Sequence, residues 1–388
     1  MTLPEAGGRA AMRAELGGFP YLLALVSVHL YFVSYAMSIV AVPLSMKGDP
    51  NWLVGLVVGA FGISGTLSRP IVGVGVDAGN RMTWLRTGAA GTAVSFAGYA
   101  FFPDPWLTIV FRLLHGVSMG LFTTAQLAVV AGLVSQSRRG LGMGVYQSVN
   151  ALSQLYGAPL AVGLATWVSF RFSFLVGAAF AAATLVVGMF MRDGGFVRTN
   201  LAPVAWRKRA WISRPAVAPA LVFLTMTTTI GAVQAFLPAF ADERDLGNVG
   251  LFYSVYGLAL LVSRALSGWL TDRLGRAKVV LPSLAFGSLS LFLIAAANSE
   301  AMLLSTAVLY GLAFAAVQVT AIALVVDRTP PDGRGAGVAT YTMAWDIGAV
   351  AGGIGLGLII DQTSYGMGFA LCGLLPLAGI GLYVRAMR

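Results

Sequence analysis

The chain is poor in charge: Asp, Glu, Lys and Arg make up 10% of its 388 residues and 57% are hydrophobic, where a soluble domain carries about 25% charged residues. A deficit that deep excludes a water-soluble globular body. Cysteine is nearly missing. Cys372 alone excludes an internal disulfide and any cysteine cluster for a metal, and in the last apolar run it reads as a packing residue. Histidine occurs only at His29 and His115, and no paired His, Cys or carboxylate spacing points to a metal site, so none is expected. No cleavable leader is expected either: the first 19 residues are polar, with no apolar core before a small-residue cleavage site, and read as a short cytoplasmic tail. Acid is scarcer than base, 15 residues against 25, for a net charge of +10.

What fills the chain instead is a series of apolar runs of about 20 residues, each long enough to span a bilayer. The predicted spans are 20 to 45, 52 to 76, 83 to 102, 106 to 134, 141 to 165, 172 to 191, 216 to 240, 248 to 271, 279 to 297, 301 to 326, 336 to 360 and 366 to 385. The expected architecture is all-α, with twelve transmembrane helices in two pseudo-symmetric six-helix bundles. Residues 1–19 are the tail, 20–191 the first bundle, 192–215 a basic linker and 216–388 the second bundle. This topology puts 19 of the 25 basic residues on one face, leaves Lys47, Arg171 and Arg244 on the other, and encloses Arg69, Arg112 and Arg264. Both termini are therefore expected to be cytoplasmic. Topology accounts for the basic excess, so no nucleic-acid partner is expected. The linker, with Trp206 and Trp211 among its basic residues, is expected to lie on anionic headgroups.

An internal repeat runs through the chain. A shift of 195 residues carries Pro43 onto Pro238, Gly55 onto Gly250, Gly62 onto Gly257, and Ser68 and Arg69 onto Ser263 and Arg264. The same shift pairs Gly73 with Gly268, Asp77 with Asp272, Arg81 with Arg276, Gly116 with Gly311, Arg139 with Arg334 and Tyr146 with Tyr341. Apolar composition alone would match leucines, not charges and prolines. Two similar halves with a solute site between them near midplane is a transporter architecture. In the second half, Gly268, Asp272, Arg273, Gly275 and Arg276 form the pattern G-x-x-x-D-R-x-G-R, which resembles the major facilitator superfamily. The first half keeps Gly73, Asp77 and Arg81 but has Ala78 and Asn80 where that pattern has a basic residue and a glycine. Within that family the runs Arg138 to Pro159 and Gly333 to Gly353 look like those of bacterial drug, sugar and metallophore exporters, and Gly157 and Pro159 partly match an antiporter pattern in span five. By the symmetry of the repeat, Asp77 is expected to face the helix start near Arg334, and Asp272 the one near Arg139. Such contacts would use the helix dipole to latch the cytoplasmic side.

Two short motifs suggest enzymes and fail on context. "GVSMG" at Gly116 to Gly120 has the spacing of a nucleophile elbow beside His115, but it lies inside one continuous span, whereas an elbow needs a strand, a turn and a helix. "GVGVDA" at Gly73 to Ala78 mimics a dinucleotide turn without a βαβ unit. No enzyme is expected.

Asp346 is the only carboxylate well inside a predicted span. It lies about 15 Å deep by helical rise, where a carboxylate must be paired, protonated or wet, and it is the expected proton carrier. Arg112, followed by Gly116, resembles the family's span-four antiporter motif R-x-x-x-G, and its expected role is to lower the proton affinity of Asp346 in one state. His115, three residues on, falls on a neighbouring helix face and joins the proton-coupling set, while Arg69 and Arg264 are assigned to the gates. His29, Tyr31, Tyr35, Gln126, Asn150, Gln318 and Tyr341 are candidate cavity liners. The resulting expectation is a monomeric, cofactor-free exporter in a bacterial inner membrane that exchanges a small organic solute for protons and is driven by their gradient. Span one carries no carboxylate, so a neutral, zwitterionic or anionic solute is favoured over a purely cationic one. A proton-coupled uptake symporter and a transport-inactive receptor or scaffold remain as alternatives.

Overall fold

The structure, a computed structural model, describes residues 18–77, 81–134, 139–192, 212–330 and 334–387. Among them are twelve helices: α1 Phe19–Ser45, α2 Asn51–Asp77, α3 Arg81–Phe101, α4 Pro105–Leu133, α5 Arg139–Trp167, α6 Phe170–Phe190, α7 Arg214–Glu243, α8 Val249–Leu274, α9 Arg276–Ala295, α10 Glu300–Arg328, α11 Arg334–Gln362 and α12 Tyr365–Met387. Local chemistry sets their ends. Asp104 caps α4 by accepting from the amides of Trp106 and Leu107, both at 3.0 Å, with Pro105 following, the residue type favoured where an amide would go unpaired. Ser169 and Ser299 cap α6 and α10 in the same way. Gly275, at φ +88°, breaks α8 from α9, a conformation that a side chain would strain.

Ten helices contain a stretch long and apolar enough to cross a membrane. The other two, α3 and α5, are diluted by Gly, Ser, Thr, Gln and Arg and are shielded by neighbours, α3 by α4 and α6, and α5 by α1 and α8.

The packing repeats as the sequence does. In the first half α1 packs on α5 and α6, α2 on α4, and α3 on α4 and α6. Six helices on, α7 packs on α11 and α12, α8 on α10, and α9 on α10 and α12. The halves meet along α2 with α11, α5 with α8, and α1 with α7.

Away from the termini, one apolar core crosses both halves, joining Met37, Val40 and Leu53 of the first to Phe236, Phe240 and Phe252 of the second. Toward the termini the first half keeps a separate core around Tyr21, Tyr31, Phe122 and Val130. The protein is therefore closed on the face opposite the termini. That face is also tied by polar contacts between the halves. Asp361 accepts from the Asn51 amide at 3.0 Å, its side-chain amide at 2.9 Å and the Trp52 amide at 2.9 Å. The Tyr365 hydroxyl donates to the Asn51 side-chain oxygen at 2.8 Å, and Lys47 pairs with Asp242.

Candidate functional site

The site lies on the seam between the halves, and small residues make that seam close. A Cβ on Gly55 of α2 would strike the backbone of Gly353 in α11, and one on Gly62 would come within 2.7 Å of Val350. The equivalent contacts recur between α8 and α5, where Gly250 lies on Pro159 and Gly257 on Leu155. Backbones that approach this closely carry mid-membrane side chains to one another.

At the inner end of the α2–α11 seam, Arg69 Nη1 lies 3.3 Å from Asp346 Oδ2, and Arg69 Nη2 donates to Oδ1 at 3.4 Å. Asp346 is buried, while the Arg69 side chain is 36% exposed, so the pair sits at the edge of the packed seam. It is a loose pair, because neither Asp346 Oδ2 nor Arg69 Nε completes a hydrogen bond. Two charges taken partly out of water on opposite halves hold those halves together only while both stay charged.

Across the site, Arg264 donates from Nε at 3.3 Å and Nη2 at 3.1 Å to Gln318 Oε1. The Gln318 backbone carbonyl accepts from the Tyr341 hydroxyl at 3.2 Å, and Tyr341 stacks on Phe223 at 4.4 Å, beside Trp345. Tyr35, half-buried and stacked on Phe61, lies in the field of Arg112, Asp346 and Arg69, and is close enough to Tyr256 for those two to interact. A cavity of about 40 Å³ sits between the halves, lined by Ala36, Ala151, Gln154, Gln234, Tyr253 and Tyr256 among others.

Several sequence expectations change here. The cation on Asp346 is Arg69, not Arg112. The Arg112 guanidinium is buried between α2 and α4, where Nε donates to the Val57 carbonyl at 3.3 Å over the Phe61 ring. His115 shares that enclosure, with Nδ1 3.2 Å from the Tyr99 hydroxyl and its ring boxed by Phe61, Phe96 and Tyr99. Tyr31 and Gln126 do not line the cavity between the halves: Tyr31 is fully buried, bonded to Thr92 at 2.9 Å and stacked on Phe122, and Gln126 ties α4 to the Ala24 carbonyl of α1 at 2.7 Å. Both make their hydrogen bonds inside one bundle. His29 has both ring nitrogens engaged, by Ser153 at 2.9 Å and Tyr156 at 2.6 Å, so it joins α1 to α5. Asn150 accepts from the Gln154 side-chain amide at 2.8 Å. Gln318 and Tyr341 lie with Arg264, and Tyr35 lies against Phe61; none of the three lines the cavity between the halves.

Of the gate residues, Asp272 pairs with Arg276 at 3.1 Å, and Arg276 reaches Asp327 at 3.0 Å. Arg273 lies over the Trp269 ring, Arg81 donates to the Ala128 carbonyl at 3.3 Å, and Gly268 has open space beside it. The side chains of Asp77, Arg139 and Arg334, the surroundings of Gly73 and most of the linker fall outside the described residues, and with them the expected contacts between Asp77 and Arg334 and between Asp272 and Arg139. Sequence reasoning missed Arg69 and Arg264 as site residues, and Gln154, Gln234 and Tyr256 altogether. The repeat held a signal for the first two, since it retains a mid-span arginine in both halves.

The family model of the Major Facilitator Superfamily matches residues 24–263 and 244–387. The chain belongs to that superfamily. It is a multi-pass membrane transporter of small solutes, not an enzyme, and "GVSMG" is accordingly a stretch of α4 in which Gly116 meets the backbone of α2. The superfamily relatives include the multi-drug resistance efflux pump PmrA of Streptococcus pneumoniae, 26% identical over 80% of this chain and 80% of that one. The staphylopine export protein of Staphylococcus aureus is 21% identical over 92% of this chain and 94% of its own. Among solved structures, a mutant of the nucleoside transporter NupG superposes with a TM-score of 0.81 at 13% identity, covering 95% of this chain and 100% of that one. At that identity the likeness bears on the fold alone.

Proposed function

We propose that this transporter exports a small organic molecule across a bacterial inner membrane in exchange for protons, with both termini in the cytoplasm, acting as a monomer without a cofactor. The observation that carries the reading is the position of Asp346. It is buried on the seam, and its partner Arg69 belongs to the other half. Protonation removes the charge that holds Arg69 and loosens the seam, while deprotonation restores it, so the proton and the packing of the halves are linked. Arg112 adds a positive field at Tyr35, which also feels Asp346 and Arg69. The exporter names of the relatives support the direction.

The test is pH-dye fluorescence in acid-loaded everted vesicles, challenged with drugs, sugars, organic acids and metal chelates. The native chain should release lumenal protons on addition of one of them, and Asp346→Asn should not. Equal release by folded Asp346→Asn protein would remove the carboxylate from the mechanism. A second reading rests on charge: Arg69 and Arg264 outnumber Asp346, so a purely anionic solute and a proton could bind together, as uptake by symport requires. Silence in everted vesicles with solute-linked acidification in right-side-out vesicles would favour it.

A further inference from the structure

The repeat that aligns Arg69 with Arg264 also aligns Asp346 with Ala151. The structure obeys the same symmetry along the seam: Gly62 against Val350 matches Gly257 against Leu155, and Gly55 against the Gly353–Ile354 backbone matches Gly250 against Pro159. The place from which α5 would offer Arg264 a carboxylate is therefore held by a methyl group, and Ala151 lines the cavity between the halves. Among the described residues Arg264 has only the neutral Gln318 side chain as an acceptor, serving Nε and Nη2. A guanidinium presents five donors in a planar fork that suits a carboxylate or phosphate. On the other side of the site, Asp346 Oδ2 is buried and completes no hydrogen bond, with Arg69 Nη1 at 3.3 Å as a loose ion-pair partner that leaves room for a further donor. Tyr341, whose hydroxyl donates to the backbone carbonyl of the Gln318 that serves Arg264, lies five residues before Asp346 on α11, about 7.5 Å along the axis, so one helix links the surroundings of both charges.

We propose that Arg264 and Asp346 bind the two ends of a zwitterionic organic solute, its acid group taking the place of the carboxylate that Ala151 lacks and its amine donating to Asp346. The amine and the proton then compete for one carboxylate, which is the mutual exclusion that exchange needs, while the acid end stays outside that competition. The inference rests on the exporter reading for the direction of transport only.

The test titrates the purified full chain in detergent by tryptophan fluorescence with three probes on one ring: para-(aminomethyl)benzoate, para-toluate and para-methylbenzylamine. The zwitterion should bind roughly tenfold or more tighter than either singly charged probe, the scale of one charged hydrogen bond. Arg264→Gln should reduce its affinity to that of the amine, Arg264→Lys should keep part of the advantage, and Asp346→Asn should reduce it to that of the acid. Ala151→Asp supplies the missing carboxylate and should abolish the acid preference while the arginine remains, which decides the matter if Arg264→Gln does not fold. Equal binding of amine and zwitterion, an unchanged ratio in Ala151→Asp, or no saturation by the zwitterion up to about 10 mM would each overturn the proposal. Vesicle proton release is measured separately: a charge preference without proton movement removes the exporter reading and keeps the site, and proton release with an amine-only preference does the reverse.

Discussion

Helices α2 and α8 hold the same place in the two halves, yet their first turns are closed by different means. Asp361 reaches across from α11 to take two amides at the start of α2, whereas α8 is closed locally by Asn248, which accepts from the Gly250 amide at 2.8 Å. The contrast continues toward the middle. Arg112 and His115 make a polar, aromatic-walled core in the first half, and the repeat places Ala307 and Tyr310 there in the second, where Tyr310 needs only Thr229 at 2.7 Å. Arg69 faces an acid, Arg264 an amide. What the halves share is the frame, meaning helix order, packing partners and the small-residue seams. What they do not share is charge, and the proposed exchange of a solute for protons rests on that asymmetry.

The largest effect should come from Asp346→Asn. It leaves the frame intact and should lower solute-driven proton movement by roughly 100-fold or more, about 2.7 kcal/mol or more of lost coupling, read in the vesicle assay. Next, Gly55→Leu and Gly250→Leu each force a side chain into the opposite backbone and should each cost about 1–3 kcal/mol of thermal stability. Comparable losses would sharpen the claim of a common frame, and a loss confined to one would break it. Arg69→Gln strips Asp346 of its cation. Because that arginine is a third exposed, the loss should be about 1–2 kcal/mol, below the 3–5 kcal/mol of a sealed pair, and Arg264→Gln, which breaks no ion pair, should lose less in the same thermal unfolding.

The caps give the finest comparison. Asp361→Ala should destabilise the start of α2 by about 1 kcal/mol and raise amide exchange roughly fivefold across its first turn while also loosening closure of that face, read as faster exchange at the α7 end. Asn248→Ala should raise exchange in α8 alone. Lys47→Ala removes a pair whose side chains are 70% and 48% exposed and should change unfolding by no more than about 0.5 kcal/mol.

Much of this was readable from the chain. Run length and turn residues gave the twelve helices, the shift of 195 gave the paired seams, and the scarcity of acid singled out Asp346. Which way a polar residue points was not readable, because helices that are apolar all round carry no clear face. Tyr31 and Gln126 therefore looked like cavity liners and proved to be internal ties. The partner of Asp346 lies 277 residues away in the chain, on the other half, and no local spacing encodes such a contact. The repeat did encode it in outline, since it kept an arginine at both equivalent positions.

The unmatched charge on Arg264 has an electrical consequence. With Asp346 ionised and paired to Arg69, the two repeat arginines and this one acid leave one positive charge at the site, on Arg264, and protonation of Asp346 leaves two. A charge crossing the whole field is worth about 2.3 kcal/mol per 100 mV, so with the termini in the cytoplasm, as proposed, an inside-negative potential would draw the empty carrier toward the face that bears them, the orientation that the closed opposite face already implies. Cargo with no net charge would leave that bias untouched, and the membrane voltage, rather than the solute, would then set where the unloaded protein waits.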